Sequence, residues 1–455
     1  MNMKNEYYGG QTAILDYLRP DAVRMIPLVE LPESLNPYLA SHGIHIDVKL
    51  MNTLPLGNVK SLPAWRMLED GDVGGKEVVE ASSGNTVFSL GLLAPLYGAT
   101  STKAIASPDV SEGKLMLLRL AGIEVELLKG PICPNPNDPD GAIAVARRIG
   151  SGAGKVNLGQ YDNDANPAAH EQITGPQLYE QLGDTIGLFC AGLGTTGTLL
   201  GVSRYLRRVI PGLRVGGVVR AANNLVPGVR TINGLSEVSF RWEDALTEPL
   251  FEVGEHESYG ASLALIRAGL LVGPSAGFAY AGLLKHLEHL EETGEIEQLR
   301  GKHAVFIAPD SPLPYLDDYM HVLGEKTFPS ITNNHLRKIR HDEVPAAVPE
   351  LSVEEVHTDA DIVIVDVRER SEFDDHHIES SENVPLGDLP AWLRDRRDGE
   401  RVVFVCRSGN RSSRATYLAR LMNLDAYNMT GGMIEWSAKG LPRTTSPYCA
   451  ARSEL

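Results

Sequence analysis

Short stretches of the sequence hold residue types and spacings that suit chemistry. Gly192-Leu193-Gly194-Thr195-Thr196-Gly197-Thr198 follows the apolar run Ile186 to Cys190 and precedes a helical pattern starting near Leu199. Strand, glycine-rich loop and helix N-terminus together present unpaired backbone N–H groups and the positive end of a helix dipole, a site for a phosphate dianion. The threonine hydroxyls can add hydrogen bonds, and no Gly-Lys-Ser/Thr follows, so this is not a nucleotide P-loop. Ala81-Ser82-Ser83-Gly84-Asn85-Thr86 precedes a helix-like run, Val87 to Leu96, and places hydroxyls and N–H groups where a carboxylate can sit. Gly273-Pro274-Ser275-Ala276-Gly277 opens a third helix, and each of these two loops also reads as a plain N-cap. Farther on, Cys406-Arg407-Ser408-Gly409-Asn410-Arg411-Ser412 follows the strand Arg401 to Val405 and precedes a helix. N–H groups around that cysteine and the helix behind it would stabilise anionic sulfur.

The elements that must position these loops are legible as apolar periodicity. Up to about Leu323 short apolar runs such as Val215 to Val219 and Ala304 to Ile307 alternate with helical patterns such as Pro176 to Gln181 and Ala279 to Leu290, the mark of a wound α/β domain. Residues 324–350 are polar and read as a linker. A smaller α/β unit spans 351–443, with strands Ile362 to Val365 and Val402 to Val405 and a helix Ser412 to Met422, and 444–455 is read as a frayed tail.

Residues 10–323 resemble the cysteine synthase and cystathionine β-synthase family of fold type II pyridoxal-phosphate enzymes. The resemblance rests on ordered motifs: Ile26-Pro27-Leu28-Val29, Asn58-Val59-Lys60, Ser82-Ser83-Gly84-Asn85-Thr86, Gln160-Tyr161, Ala165-Asn166-Pro167, Thr174-Gly175-Pro176, the Gly/Thr loop, Gly-Pro-Ser-Ala-Gly and Pro309-Asp310-Ser311. It implies two wound α/β lobes and pyridoxal 5'-phosphate as cofactor, held as an imine on Lys60. It further implies that Asn85 bonds the cofactor's ring hydroxyl oxygen, that Gly194, Thr195, Thr196, Gly197 and Thr198 cradle its phosphate, and that Ser275 faces its ring nitrogen. Ser82, Ser83, Gly84 and Thr86, with Gln160 nearby, would hold the substrate α-carboxylate. A hydroxyl opposite the ring nitrogen makes a weaker electron sink than an aspartate would, which favours β-elimination to an aminoacrylate over transamination, with Lys60 as the base. The sequence departs from the family at Asn58-Val59-Lys60-Ser61-Leu62, where Ser-x-Lys-Asp-Arg is usual, and at Thr196, where glycine is usual. The loop Val226 to Thr231 lacks the family's usual polar approach to the site.

The second unit resembles the rhodanese family, whose cysteine carries a persulfide. Four residues separate Cys406 from Arg411, whereas a cysteine phosphatase needs five to fit phosphate. Val365-Asp366-Val367-Arg368, Glu372-Phe373, His377-Ile378, Asn383-Val384-Pro385 and Gly431-Gly432-Met433 with Trp436 support the likeness, and Arg407, Ser408, Gly409, Asn410 and Arg411 would form the persulfide cradle.

The reading is therefore a fused enzyme: β-replacement on an activated serine (O-acetylserine or O-phosphoserine), making cysteine or a related thiol amino acid, coupled to sulfur transfer by Cys406. A cysteine, cystine or thioether β-lyase passing sulfur to Cys406, a serine dehydratase, and an enzyme with a non-catalytic docking or sensor module remain open. The expected partners are a small amino acid and a sulfur donor, and the resemblance implies a homodimer. A net charge of −17 argues against nucleic acid and anionic membrane surfaces. Three charge-free runs, Ala81 to Thr102, Thr185 to Ser203 and Ala268 to Leu284, are broken by glycine and read as buried core, not membrane spans.

No secretory signal is read at the N-terminus, and the cysteines show no CxxC pair, so no metal site and a reducing cytoplasm are expected. Cys133-Pro134 reads as loop rather than haem ligand, Cys190 as packing, and His286 and His289 as solvated.

Overall fold

The computed structural model describes residues 7–21, 25–108, 110–128, 139–222, 224, 226–331, 348–394, 396 and 400–445. Cys133, Cys449, most of the polar segment 324–350 and most of the tail lie outside them. The chain divides into two compact units, 1–328 and 329–455.

The first unit holds two sheets. One has the strand order Leu28–Glu30, His45–Leu50, His303–Ala308, Ile186–Gly192, Arg214–Arg220, Phe251–Val253, parallel except for its first pair. Its central strands are apolar on both faces: Leu188, Cys190, Ala304 and Phe306 enter one core, and Phe189, Ala191, Val305 and Ile307 enter the other. That is why these strands read as continuous apolar runs in the sequence rather than as alternation. The other sheet, Glu124–Leu127, Ser101–Ala106, Glu77–Ala81, Lys155–Val156, is all parallel and smaller. These are the two wound lobes, and both the Ser82 and Gly192 loops leave the C-terminal ends of strands, where α/β sheets place ligands.

The helix after Ser82-Ser83-Gly84 spans Asn85–Leu93 and tightens into the 3₁₀ turn Ala94–Tyr97, since Pro95 supplies no N–H. The helix expected near Leu199 begins two residues earlier, as Gly197–Val209, behind Thr196 in the left-handed conformation at φ 64°. Among the described residues no helix is long and apolar enough to cross a membrane.

His286 corrects an expectation. It is not solvated but 1 % exposed on the helix Pro274–Glu292. Gly216 leaves a slot on the sheet that its ring fills, with Nε2 3.3 Å from the Gly217 carbonyl and the Phe251 ring edge-on at 4.7 Å. Burial lowers its pKa to about 4. His289 is half-buried and tilted over the same phenylalanine. Cys190 is fully buried in the core, and burial raises its thiol pKa.

The second unit is a five-stranded parallel sheet in the order Glu350–Leu351, Asp425–Met429, Arg401–Val405, Val363–Asp366, Glu382–Asn383. Its helix after the cysteine loop spans Asn410–Leu421. Arg368 and Asp366 form a buried ion pair at 2.6 Å, and Arg368 also donates to the His376 carbonyl at 2.7 Å.

Candidate active site

Lys60 stands at the start of the helix Ser61–Asp70. Its backbone N–H donates to Asn58 Oδ1 at 2.9 Å, Ser89 donates to the same oxygen at 3.2 Å, and Val59 N–H donates to the Pro309 carbonyl at 2.7 Å. Asn58 thus fixes the backbone of the lysine while its amine opens onto a cavity of about 430 Å³. Surrounding protein pushes that amine down to about 8, with Asp310 opposing. A depressed lysine is partly neutral near neutral pH and so able to attack a carbonyl.

The same cavity is lined by Ser82, Ser83, Gly84, Asn85, Thr86, Gln160, Gly194, Thr195, Thr196, Thr198 and Ser275. Gly197 does not line it. A Cβ there would lie 2.1 Å from Asn166 Oδ1, so the glycine lets the loop close on Asn166. The Asn166 amide donates to Thr195 Oγ1 at 2.9 Å and to the Gln160 carbonyl at 2.7 Å. Gln160 is tied to the Ser82–Thr86 loop and the strand before it, accepting from Thr86 at 2.6 Å and donating to the Ala81 carbonyl at 2.8 Å. Beneath Thr198, whose hydroxyl lies 3.1 Å from Nε2, the fully buried His170 has its pKa lowered to about 3, chiefly by burial and then by Lys60, so the ring is neutral.

Asp310 is the residue whose role the sequence motifs did not disclose. Its carboxylate is 3 % exposed and accepts from Asn85 Nδ2 at 2.7 Å, Tyr315 Oη at 2.6 Å and Ser275 Oγ at 3.3 Å. Burial raises its pKa against those three donors. Asn85 and Ser275, expected to face a cofactor, share this carboxylate as partner. Its motif, Pro309-Asp310-Ser311, stood in the ordered series, but nothing local to it indicates the contacts. Lys114, another cavity residue, gives no sequence signal because it sits in an ordinary amphipathic helix.

Within the loop Val226 to Thr231, Pro227 to Thr231 line the cavity. Arg230 packs its guanidinium 4.7 Å from the centre of the Tyr161 ring and donates to the Gly234 carbonyl at 2.8 Å. This loop is folded back by Arg220 N–H bonding the Arg230 carbonyl and Arg230 N–H bonding the Leu193 carbonyl.

These residues fit a phosphorylated carbonyl cofactor. An amine of lowered pKa lines the cavity, and the buried Thr196 hydroxyl in the anion loop has no hydrogen-bond partner among the described residues, as a donor awaiting a ligand oxygen would be.

In the second unit the cysteine loop is self-contained. Cys406 is 1 % exposed, and its Sγ lies 3.2 Å from both the Gly409 N–H and the Ser412 hydroxyl. Ser412 has one proton and three acceptors in reach, of which Asn428 Oδ1 at 2.6 Å is nearest. Arg411 forms a bidentate pair with Glu372 at 2.6 and 2.8 Å, whereas Arg407, Ser408 and Asn410 are exposed. Gly432 backs the loop: a Cβ there would meet the Cys406 carbonyl at 2.3 Å.

Comparison with known proteins places both units. The family described as "Pyridoxal-phosphate dependent enzyme" matches residues 20–309, and the rhodanese-like domain family matches 352–439. Cysteine synthase B of Pseudomonas aeruginosa is 30% identical over 291 residues, covering 60% of this chain and 89% of that protein. Cystathionine beta-synthase of Apis mellifera is 28% identical over 343 residues, covering 70% of this chain and 65% of that one. Among solved structures, O-acetylserine dependent cystathionine beta-synthase from Helicobacter pylori matches with a TM-score of 0.54 at 24% identity, covering 65% of this chain and 96% of its own, which shows a shared fold. O-ureido-L-serine synthase matches with 0.56 at 23% identity, covering 67% and 95%. The chain belongs to the pyridoxal-phosphate dependent enzyme family as a cysteine synthase- and cystathionine β-synthase-like enzyme that uses pyridoxal phosphate and carries a rhodanese-like domain.

Proposed function

We propose that the first unit performs β-replacement on an O-acetylated or O-phosphorylated serine, making cysteine or a related thiol amino acid, with sulfur delivered through Cys406. The observation that carries this is the convergence on one cavity of a lysine amine near pKa 8, a hydroxyl-lined anion loop and a second helix N-terminus suited to a carboxylate.

Lys60 would hold the cofactor, the Gly194–Thr198 segment its phosphate, Asn85 its ring hydroxyl and Ser275 its ring nitrogen. Bound pyridoxal phosphate supplies the electron sink that makes the substrate α-proton acidic. The N–H groups and hydroxyls of Ser82, Ser83, Gly84 and Thr86, braced by Gln160, hold the α-carboxylate and orient the α C–H bond. The Lys60 amine takes that proton as the β-substituent leaves, and a lysine near pKa 8 is suited to both taking and returning a proton near neutrality.

In the second unit, attack of Cys406 on a sulfane-sulfur donor such as thiosulfate releases sulfite and leaves the terminal sulfur on the cysteine. Two thiols then reduce the persulfide, releasing sulfide, restoring the Cys406 thiol and becoming a disulfide themselves. The sulfide adds at the β-carbon left open by elimination. Joining the two activities in one chain raises the local concentration of sulfur near its acceptor. The same reading takes 1–323 and 351–443 as the domains, with 324–350 as linker and 444–455 as tail, in a homodimer working in a reducing cytoplasm.

The test mixes the purified holoenzyme with O-acetylserine, O-phosphoserine, serine, cysteine or cystine and follows the cofactor absorbance, with sulfide or thiosulfate plus thiol as second substrate. Activated serines are expected to react and to yield cysteine. Reaction with cysteine, cystine or thioethers alone would replace this reading by the lyase direction.

A further inference from the structure

Lys114 has no part in the chemistry above, yet it lines the same cavity. It projects from the first turn of the helix Glu112–Leu120 and is 7 % exposed. A Cβ on Gly84 would lie 3.4 Å from its Nζ, an ordinary van der Waals distance, so the ammonium lies directly against the Ser82–Thr86 loop. The centre of the Tyr315 ring is 5.0 Å from Nζ. Among the described residues Nζ has no hydrogen-bond acceptor and no ion-pair partner, although Asp310 and Asp318 act on it at longer range. Burial pushes the amine down to about 8 in spite of both carboxylates.

A buried ammonium without a partner is unfavourable, and burial is tolerated where the partner arrives with a ligand. Two anions already have hosts. The cofactor phosphate would go to the Gly194–Thr198 loop, which belongs to the six-stranded lobe, whereas Lys114 belongs to the four-stranded lobe with the Ser82 loop. The α-carboxylate would go to the N–H groups and hydroxyls of that Ser82 loop itself. The amine therefore stands ready for a third anion brought by the substrate side of the cavity.

We propose that Lys114 is a specificity-determining residue that recognises an anionic β-substituent, so that the amino-acid substrate is the phosphate ester of serine in preference to a neutral acyl ester. The inference rests on the β-replacement reading and sharpens it. A lysine beside the leaving group also meets the charge that grows on the departing oxygen, so its effect extends to kcat.

The experiment compares wild-type holoenzyme with Lys114→Met and Lys114→Arg. For Lys114→Met the ratio of kcat/KM for O-phosphoserine to that for O-acetylserine should fall about tenfold or more, the scale of a lost charge-assisted hydrogen bond, and Lys114→Arg should restore most of it. A second readout titrates inorganic phosphate calorimetrically into holoenzymes, in which the cofactor's own phosphate fills the glycine-rich cradle. Wild type should bind it about tenfold more tightly than Lys114→Met. An unchanged ratio, with both esters weakened in step, would assign Lys114 to the α-carboxylate and overturn the proposal, as would equal phosphate affinity. Failure of the wild type to react with either ester would instead remove the β-replacement reading, and the phosphate titration would still decide the role of Lys114.

Discussion

The two anion loops are built by the same local rule. Each leaves a central parallel strand, Ile186–Gly192 or Arg401–Val405, and enters a helix through a left-handed residue, Thr196 at φ 64° or Gly409 at φ 99°. They differ in what else they need. The cysteine loop carries its reactive atom and that atom's hydrogen-bond partners within seven consecutive residues, with Gly432 closing its back. The glycine-threonine loop carries no reactive atom at all. Its chemistry depends on Lys60, Ser82 to Thr86, Ser275 and Asp310, brought from four other segments and both sheets. A local motif thus fixes where an anion can sit, whereas the reaction done there is set by assembly.

The largest expected effect separates the two loops. Lys60→Ala should abolish the cofactor's imine absorbance and lower β-replacement by about 10³-fold or more while leaving thiosulfate sulfurtransfer intact; Cys406→Ser should do the converse. A sulfurtransferase loss in Lys60→Ala, or an undiminished transfer in Cys406→Ser, would break the comparison.

A smaller effect tests how the assembled site tunes its lysine. Asp310 favours the charged amine, so Asp310→Asn should lower the Lys60 pKa below about 8. Cofactor capture by apo-protein needs the neutral amine and rises as pH climbs through that pKa. In the variant the rise should come at lower pH, and capture at pH 7 should be about fivefold faster for a midpoint one unit lower. Stopped-flow absorbance across pH checks this, and a midpoint that stays or moves up would remove Asp310 as the opposing charge.

The smallest effect concerns Thr196. A β-branched residue at positive φ is strained, so Thr196→Gly should raise apo-protein stability by about 1 kcal/mol in thermal or denaturant melts. The same change removes the unpartnered hydroxyl and should weaken cofactor binding several-fold. Stability and affinity moving in the same direction would contradict the role given to that hydroxyl.

Much of this was legible in the sequence because the strands and loops announce themselves locally. The apolar runs, the glycine-rich turns and the cysteine loop lie where periodicity and composition put them. What escaped was decided by contacts between distant segments. His286 looks solvated on its own helix and is buried because Gly216, seventy residues earlier, leaves a slot for it. Lys114 looks like any helix-surface lysine and is buried, with the Tyr315 ring of a distant segment centred 5.0 Å from its Nζ. In both cases a group from a distant segment, rather than the residue's own neighbours, determines its environment.

Asp310 also has a mechanical meaning. Asn85 starts a helix of the four-stranded lobe, while Ser275 and Asp310 belong to the six-stranded lobe, so one carboxylate stitches the seam between them. Separating the lobes at this point stretches the Asn85 link, a hydrogen bond to a charged group with a net worth of about 1.5–3 kcal/mol. A ligand that draws the Asn85 amide away from that carboxylate loosens the seam as it binds, so ligand capture and lobe compliance are coupled through this bond.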